Sequence, residues 1–414
     1  MKIAVVSHTP IYTNASGYEI LLASVAKIFL NRKHDVKVFS LGRENKMIMQ
    51  GTYKERIIKS SRMAESGLGA RRIYEFLVLR GFGYRPSVKK LNRNKTLLSV
   101  LEDFGPDLIF IGESTLIDLL EKYKKMHKNV RIITHSDSFS IIENSFSFIN
   151  QPYRSSAIAV QFEKHAKKFI KKAYFNYHIG QFQKMLMLCN TIMVPSVGDK
   201  KEIEGRFRAY SKKIVVLPLV WLNRRETKNG ARKVPVVKKI KRVLFLGAYN
   251  YGPNREAIDV IRQYIAPKLP EMEFIIQGKG CPKNKEENID YVGEYSLDKL
   301  DKLIESCDAC IAPMIQHTTI KTKMLEYFLS GKPIVGTAEA FYGYPVKNKI
   351  NVMIEDNPEK LYMCFKELNR NPRLIAKIQK NMRTIVEYTN SERIASKLIK
   401  ISETYISIIK LVKK

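Results

Sequence analysis

The chain has 414 residues, 45% of them hydrophobic, and carries a formal net charge of +32. A chain of this length usually exceeds what one hydrophobic core supports, so we expect two domains. The hydrophobic fraction is that of a folded globular protein and excludes a largely disordered chain. No run approaches the roughly 18 apolar residues of a membrane span, because Lys27 interrupts the longest candidate.

Alternating strand and helix patterns occupy the N-terminal part, residues 1–223. Residues 2–7 predict the first strand rather than a signal peptide, since the segment is short and soon becomes polar. A loop containing Gly17 then leads into a helix rich in Leu, Ala and Ile. Further along, a buried strand ends in His135, and Asp137 follows two residues later. The carboxyl end of a parallel strand is where an open sheet keeps its ligand crevice.

Positive charge is concentrated in this N-terminal part. Residues 1–223 carry a net charge of +19 and residues 224–243 a further +8, against +5 for the remainder. One basic run, from Arg71 to Lys95, is interleaved with aromatic residues. Five lysines recur at helical spacing and share one face of a predicted helix: Lys164, Lys167, Lys168, Lys171 and Lys172.

Such basic patches have three interpretations. They attract anionic lipid headgroups, they attract nucleic-acid phosphates, or they are a solvated surface. The interleaved aromatic residues favour contact with an anionic membrane surface through the five lysines. The sequence contains no zinc-finger spacing and no aromatic strand signature of an RNA-binding module, so nucleic acid is not an expected partner.

The basic stretch 224–241 predicts an interdomain linker, followed by a second domain over residues 242–391. The first strand of that domain runs into Gly247, and Asn254 is placed to cap the next helix. The next strand ends at Gly278, and a later one runs from Ala309 to Met314. This alternation, with glycines at the carboxyl ends of strands, predicts a doubly wound parallel sheet.

The segment TTIKTKMLEYFLSGKPIVGT, residues 318–337, predicts a polar loop, an amphipathic helix, a helix stop at Gly331 and a buried strand. A loop that feeds a helix N-terminus presents unpaired N–H groups and positive partial charge, which suit a phosphate. Glu326, about one turn further on, is spaced to reach two vicinal hydroxyls of a ribose. These parts describe half of a nucleotide-diphosphate site. The alternative is an ordinary helix–strand unit with a solvated Lys/Glu face.

In their order and spacing, these motifs resemble the C-terminal domain of GT-B glycosyltransferases, the retaining "glycosyl transferases group 1" family of the CAZy family four type. The resemblance implies an α/β fold of two Rossmann-like, doubly wound domains facing across a cleft. The N-terminal domain would lie on the acceptor side and the C-terminal domain would bind the nucleotide sugar. A final helix, residues 392–414, would cross back to the N-terminal domain.

The resemblance also implies an activity: transfer of a sugar from a nucleotide-diphosphate donor to an acceptor hydroxyl, with retention of configuration. We expect a glycan or lipid-linked acceptor, and a cytoplasmic protein peripheral on the inner face of the membrane. Domain closure would bring the two halves of the site together and exclude water. The chain contains no Asp-x-Asp motif, so neither a carboxylate-held metal nor another cofactor is expected.

Site residues follow from the resemblance. Gly17 matches the loop that faces the transferred sugar or the leaving phosphate, and His135 matches a histidine that hydrogen-bonds the donor sugar. Asp137 is a candidate partner of the acceptor hydroxyl. Lys323 would neutralise the leaving group. The remaining donor contacts would come from Gly247, Gly278, Thr318, Thr319 and Glu326.

Two departures from the family pattern leave alternatives open. Thr318 stands where relatives place the first of two acidic residues seven apart, and the loop 247–254 lacks their usual Arg and Lys pair. One alternative is a degenerate protein that kept the fold and lost transfer. Two others are a nucleotide-sugar epimerase on the same architecture and a non-catalytic protein that binds nucleic acid or anions.

Cysteine usage predicts no disulfide framework. The five cysteines are scattered, and only Cys307 and Cys310 form a C-x-x-C, with no second pair nearby. This pattern favours a buried structural role over zinc or redox chemistry, and a reduced, cytoplasmic setting.

Overall fold

The computed structural model describes residues 1–11, 17–42, 44–59, 94–112, 116–136, 179–219, 236–249, 251–295, 297–316 and 320–412. The chain divides into two compact units. The first unit contains Met1–Trp221 together with Glu392–Lys414, and the second unit contains Leu222–Ser391.

The first unit is built on an eight-stranded sheet of order β3-β4-β2-β1-β5-β6-β7-β8. Every pairing is parallel except that of β3 with β4. Its strands are β1 Lys2–Ser7, β2 Asp35–Gly42, β3 Lys46–Gln50, β4 Tyr53–Lys59, β5 Leu108–Ile111, β6 Arg131–His135, β7 Thr191–Val194 and β8 Ile214–Val216. Its helices include α1 Gly17–Asn31, α2 Lys95–Phe104, α3 Ile117–Met126, α4 over residues 179–188, and α5 Val197–Arg206.

The second unit is built on a seven-stranded sheet of order β11-β12-β10-β9-β13-β14-β15. Only the edge strand β11 runs antiparallel to its neighbour. Its strands are β9 Arg242–Leu246, β10 Glu273–Gln277, β11 Lys283–Glu286, β12 Ile289–Gly293, β13 Ala309–Ala312, β14 Ile334–Gly336 and β15 Met353–Ile354. Its helices include α6 Gly252–Val260, α7 Leu297–Ser306, α8 Lys323–Ser330, α9 Leu361–Arg370 and α10 Pro372–Tyr388.

These two mixed but mainly parallel sheets confirm the predicted α/β, doubly wound fold class. The predicted helix stop is also confirmed, because Gly331 ends α8 in the left-handed conformation with φ 65°. The predicted end of the strand at Met314 is wrong, since β13 ends at Ala312. Pro313 has no N–H to donate to a ladder, which stops the strand there.

The last helix, α11 Ser391–Val412, packs on the first unit. The buried guanidinium of Arg131, on β6, donates to the carbonyl oxygen of Ser402 in the middle of this helix. Lys397 Nζ donates to the carbonyl oxygen of Val216 at the end of β8, over 2.7 Å. The helix is therefore tied by polar contacts to two strands of the first sheet.

The hairpin β3–β4, which the sequence patterns did not predict, carries a buried carboxylate. Glu55 is fully buried and accepts three hydrogen bonds, from the Ile11 N–H at 2.9 Å, the Ser40 hydroxyl at 2.6 Å and the Tyr53 hydroxyl at 2.9 Å. Burial, and then the charge of Glu55, raise the pKa of Tyr53 above its ordinary value, so the phenol stays a donor. Through Ile11, Glu55 fixes the chain just before the loop that leads to Gly17.

Replacing this carboxylate tests its structural weight. Glu55→Ala leaves two hydroxyls and one backbone N–H without their acceptor, and each buried unsatisfied group costs about 1–3 kcal/mol. We expect the first unit to lose at least about 3 kcal/mol of unfolding free energy in urea denaturation. Asp103→Ala, at an exposed carboxylate of α2, is the control and should change stability by less than about 0.5 kcal/mol. Equal effects of the two substitutions would contradict this assignment.

Candidate functional site in the second unit

Two glycine loops meet at the carboxyl edge of the second sheet. Gly247 follows β9 and Gly278 follows β10, and the Gly247 N–H donates to the carbonyl oxygen of Gln277 over 2.9 Å. A Cβ added at Gly278 would lie 1.9 Å from the Gly247 carbonyl oxygen. The structure thus brings together two of the predicted donor-binding residues, and the backbone of one loop approaches the other too closely for a side chain at Gly278.

The prediction that Asn254 caps the following helix is wrong. Helix α6 begins at Gly252, with Tyr251 as its N-cap residue and Pro253 in its first turn, so Asn254 lies inside the helix. Proline favours the first helical position, so this signal would have placed the start at Pro253, one residue from the observed start. The Asn254 side chain instead turns toward the loop after β9, and its Nδ2 donates to the carbonyl oxygen of Ala248 over 3.0 Å.

Lys323, the first residue of α8, reaches the same loop from another element. Its Nζ lies 2.6 Å from Asn254 Oδ1 and 3.8 Å from Met314 Sδ, and 4.3 Å above the ring centroid of Phe245. Within the part of the chain that the structure describes, this ammonium has no carboxylate partner. Burial, and then the neighbouring charge of Lys321, lower the pKa of Lys323 to about 7.

Lys321, just before α8, has a structural role. Its side chain is 4% exposed and forms an ion pair with Glu339, and its carbonyl oxygen accepts a hydrogen bond from the Tyr344 hydroxyl over 3.1 Å. The alternative of a wholly solvated Lys/Glu face is therefore wrong for this segment. The Lys321–Glu339 pair anchors the start of α8 and leaves Lys323 as the cation directed at the loop.

Of the other donor contacts predicted in this unit, the structure describes Glu326. It lies in the first turn of α8, three residues after Lys323, and its side chain is half-buried. Thr318 and Thr319 lie outside the described residues. Three contributors to the site were missed by sequence reasoning: Phe245, whose ring lies under the ammonium, Met314, and Asn254 in its observed role.

The first unit holds the other predicted residues. His135 ends β6 and is 2% exposed, and its Nε2 lies 3.0 Å from the carbonyl oxygen of Leu217, to which it donates. Its Nδ1 is buried, without a hydrogen-bond partner in the described structure. Burial lowers the pKa of His135 to about 4, so the imidazole is neutral near pH 7. Gly17 is the first residue of α1, and Asp137 lies outside the described residues.

The remaining predictions concern the surface, metals and cysteines. The five lysines expected to contact a membrane, Lys164, Lys167, Lys168, Lys171 and Lys172, lie outside the described residues. Among the helices that are described, none combines the length and apolar character needed to span a bilayer. The described residues contain no group of three or more His, Cys, Asp or Glu side chains arranged to hold a metal ion. All five cysteines are free, and Cys307 and Cys310 are buried.

Comparison with known proteins finds a family match within the second unit. Residues 240–371 match the model of the family described as "Glycosyl transferases group 1". No curated protein matches the sequence.

Solved structures extend the likeness to the whole chain. The sucrose-phosphate synthase of Thermosynechococcus elongatus is 13% identical with a TM-score of 0.65, covering 99% of this chain and 100% of that one. HepE of Anabaena in complex with UDP is 12% identical with a TM-score of 0.60, covering 98% and 100%. The apo lipopolysaccharide outer core galactosyltransferase WaaB is 14% identical with a TM-score of 0.58, covering 98% and 100%. At such identities the likeness concerns the fold, while the family model concerns the domain that carries Lys323. Residues 240–371 match the group 1 glycosyl transferases, and the chain as a whole has the GT-B fold.

Proposed function

We propose that the protein moves a sugar from a nucleoside-diphosphate donor to an acceptor hydroxyl, with retention of anomeric configuration and without a metal ion. The observation that carries the proposal is the Lys323 ammonium, enclosed at the carboxyl edge of the second sheet beside the glycine loops. A half-buried cation without a described carboxylate partner is costly in the free protein, and an arriving diphosphate supplies the missing anion.

The chemistry then depends on stabilising the leaving group. As the bond between the sugar C1 and the diphosphate oxygen breaks, its electron pair stays on that oxygen. Lys323 and the positive end of α8 stabilise the developing negative charge. The acceptor oxygen forms its bond to C1 on the same face, and its proton passes to the departing diphosphate. One such fixed donor typically contributes a factor of about 10²–10³ to the rate.

The other residues take the roles that the family resemblance gives them. Thr318 and Thr319 add hydroxyl and backbone contacts to the diphosphate, and Glu326 accepts from the ribose hydroxyls. In the first unit, Gly17 and the neutral His135 contact the sugar. Asp137 contacts the acceptor hydroxyl, and no residue serves as a covalent nucleophile. Each role is part of the proposal.

The substrates are proposed by class. HepE binds UDP and UDP-glucose, and WaaB acts on the outer core of lipopolysaccharide, by their names. These similarities make a UDP-sugar the first donor to test and a glycan or lipid-linked molecule the acceptor. The five-lysine patch that begins at Lys164 would hold the protein on an anionic membrane surface close to such an acceptor, as a peripheral protein. Binding to anionic vesicles that weakens with salt, and exceeds binding to DNA, tests this part.

Titration of nucleoside diphosphates tests the donor site. UDP, ADP, GDP, CDP and dTDP are titrated calorimetrically into the wild-type protein and Glu326→Ala without added metal. We expect micromolar affinity for one of them and a fall of about 10–100-fold in the variant, since a hydrogen bond to a charged group contributes about 1.5–3 kcal/mol. Glu271→Ala, at an exposed carboxylate of the same unit, should bind like the wild type.

The same experiment separates the alternatives. A folded protein that binds none of the five diphosphates is not a nucleotide-sugar transferase, and tight DNA binding in its place would favour the nucleic-acid alternative. Conversion of a sugar nucleotide into its epimer without any acceptor would favour the epimerase.

A further inference from the structure

We propose that Asn254 is a positioning residue that fixes the Lys323 ammonium against the loop after β9 and thereby sets where the donor diphosphate binds. This inference rests on the proposed function, because the diphosphate is the anion that Lys323 would meet. It gives a role to a residue that sequence reasoning treated as a helix cap.

The geometry of the Asn254 amide admits one orientation. Its Nδ2 donates to the carbonyl oxygen of Ala248 over 3.0 Å, and its Oδ1 accepts from Lys323 Nζ over 2.6 Å. An ammonium only donates and a carbonyl only accepts, so a flipped amide would lose both contacts. The side chain is therefore a directional link between the loop and the lysine, and the residue is 5% exposed.

The loop is shaped to admit this side chain. A Cβ at Gly247 would lie 2.7 Å from Asn254 Cγ and Nδ2, so the absence of a side chain at Gly247 makes room for the amide. Gly247 itself is held by its N–H, which donates to the carbonyl oxygen of Gln277, the residue before Gly278. The loop backbone, the amide and the ammonium thus form one packed assembly.

The link matters because the loop has no cation of its own. Residues 247–254 contain neither Lys nor Arg, so the ammonium that contacts Asn254 comes from α8, 69 residues further along the chain. Without the amide, the long lysine side chain would be free to take other rotamers, and ordering it would cost conformational entropy on binding. Asn254 orders it before the ligand arrives.

The groups around Lys323 make this link measurable through protons. Its Nζ faces Phe245 of β9, Asn254 of α6 and Met314 after β13, all of them uncharged. The charged residue that acts on it is Lys321, which is paired with Glu339. With a pKa of about 7, most Lys323 side chains are neutral at pH 8. Binding of a diphosphate favours the ammonium, so the protein should take up nearly one proton.

The test uses sugar nucleotides as probes, because their two phosphates stay singly ionised near neutral pH. UDP-glucose is titrated first, followed by the ADP, GDP, CDP and dTDP sugars, at pH 8 in two buffers of different ionisation enthalpy. The wild type should take up most of one proton per ligand, because a lysine with a pKa of about 7 is mainly neutral at pH 8. Lys323→Arg keeps a side chain that is always charged, so this variant should take up no proton when the ligand binds.

Asn254→Asp is the decisive variant. Its carboxylate beside Lys323 would raise the pKa of the lysine, so proton uptake should fall below about 0.2 per ligand, and it would compete with the diphosphate and weaken binding at least about tenfold. Asn288→Asp is the matched control. That amide donates only to three carbonyl oxygens of its own unit, and its replacement should lower stability without changing proton uptake.

The outcomes separate this inference from the function on which it rests. If the wild type binds no sugar nucleotide, both fail. If the wild type binds a sugar nucleotide and Asn254→Asp binds it as tightly and takes up as many protons, the positioning role is wrong and the transferase proposal stands. If Asn254→Asp does not fold, Asn254→Leu keeps the volume and removes both hydrogen bonds. Wild-type affinity in that variant overturns the inference, and a loss of about tenfold supports it.

Discussion

Lys323→Met is expected to remove most of the donor affinity while stabilising the free protein. The methionine side chain has a similar length and no charge, so the diphosphate would lose the cation that the proposed mechanism requires. We expect kcat/KM to fall by about 10²–10³-fold, the usual effect of deleting one fixed group that stabilises a developing anion. The effect should appear in both nucleotide binding and sugar transfer, because Lys323 contacts the diphosphate before and during bond cleavage.

The stability gain follows from the direction of the pKa shift. The pKa of Lys323 is about 7 in the folded protein against 10.5 for an ordinary lysine, so the unfolded chain binds this proton more tightly. Below pH 7 the buried charge of Lys323 therefore lowers the unfolding free energy by the largest amount. This destabilisation disappears as the pH rises from 7 toward 10.5. Removing the buried charge is worth up to about 5 kcal/mol, but the substitution also leaves the buried Asn254 Oδ1 without its donor, at a cost of about 1–3 kcal/mol. At pH 6 we therefore expect Lys323→Met to be more stable by on the order of 2 kcal/mol, a Tm increase of about 4–8 °C.

Thermal denaturation at pH 6, 8 and 10, together with nucleotide titration, checks both parts. The difference in Tm should shrink as the pH rises. Lys268→Met, at an exposed lysine of the second unit, is the matched control and should change neither binding nor Tm. A Lys323→Met protein that binds the nucleotide normally, or whose Tm is below that of the wild type at every pH, would contradict the role assigned to Lys323.

Gly278→Ala is expected to destabilise the second unit more than any other substitution at the site. Its Cβ would lie 1.9 Å from the carbonyl oxygen and 2.4 Å from the carbonyl carbon of Gly247. Both are backbone atoms, so the clash can be relieved only by moving a loop and not by rotating a side chain. We expect a loss of at least about 3 kcal/mol of unfolding free energy, at the upper end of overpacking effects.

The same movement would separate Gly247 from Asn254 and disturb the position of Lys323, so nucleotide affinity should fall as well. Gly205→Ala is the control, because a Cβ at that position of α5 would meet no atom within 4 Å. It should stabilise the first unit by about 0.5–1 kcal/mol through helix propensity. Equal stability of Gly278→Ala and the wild type in urea denaturation would show that the two loops can part without cost.

The elements that the sequence predicted best are those whose signals are local. Gly331 ends α8 and Pro333 precedes β14 because the left-handed turn and the restricted proline backbone act within a few residues of each other. The buried strand that ends in His135 was visible from its consecutive β-branched residues, Ile132, Ile133 and Thr134. Gly247 and Gly278 follow β9 and β10 as predicted, because a glycine that ends an apolar strand is itself a local signal.

Elements with weaker local patterns were missed or misplaced. The edge strand β3 is mostly exposed and shows no apolar alternation, so only its pairing with β4 reveals it. Asparagine is a common N-cap residue, which suggested that Asn254 caps α6. The helix instead begins two residues earlier, because Pro253 favours a position in the first turn. In both cases a neighbouring residue or strand outweighed the preference of the residue itself.

The sequence by itself determined the fold class, the glycine edge of the second sheet, and the choice of Lys323 and Glu326 as donor-site candidates. Tertiary structure decided which polar groups meet. Lys321 and Lys323 look equivalent in the sequence, yet one is neutralised by Glu339 and the other lies over Phe245 against Asn254. The physical reason is that burial, hydrogen-bond partners and pKa depend on groups from distant parts of the chain, which no local pattern encodes.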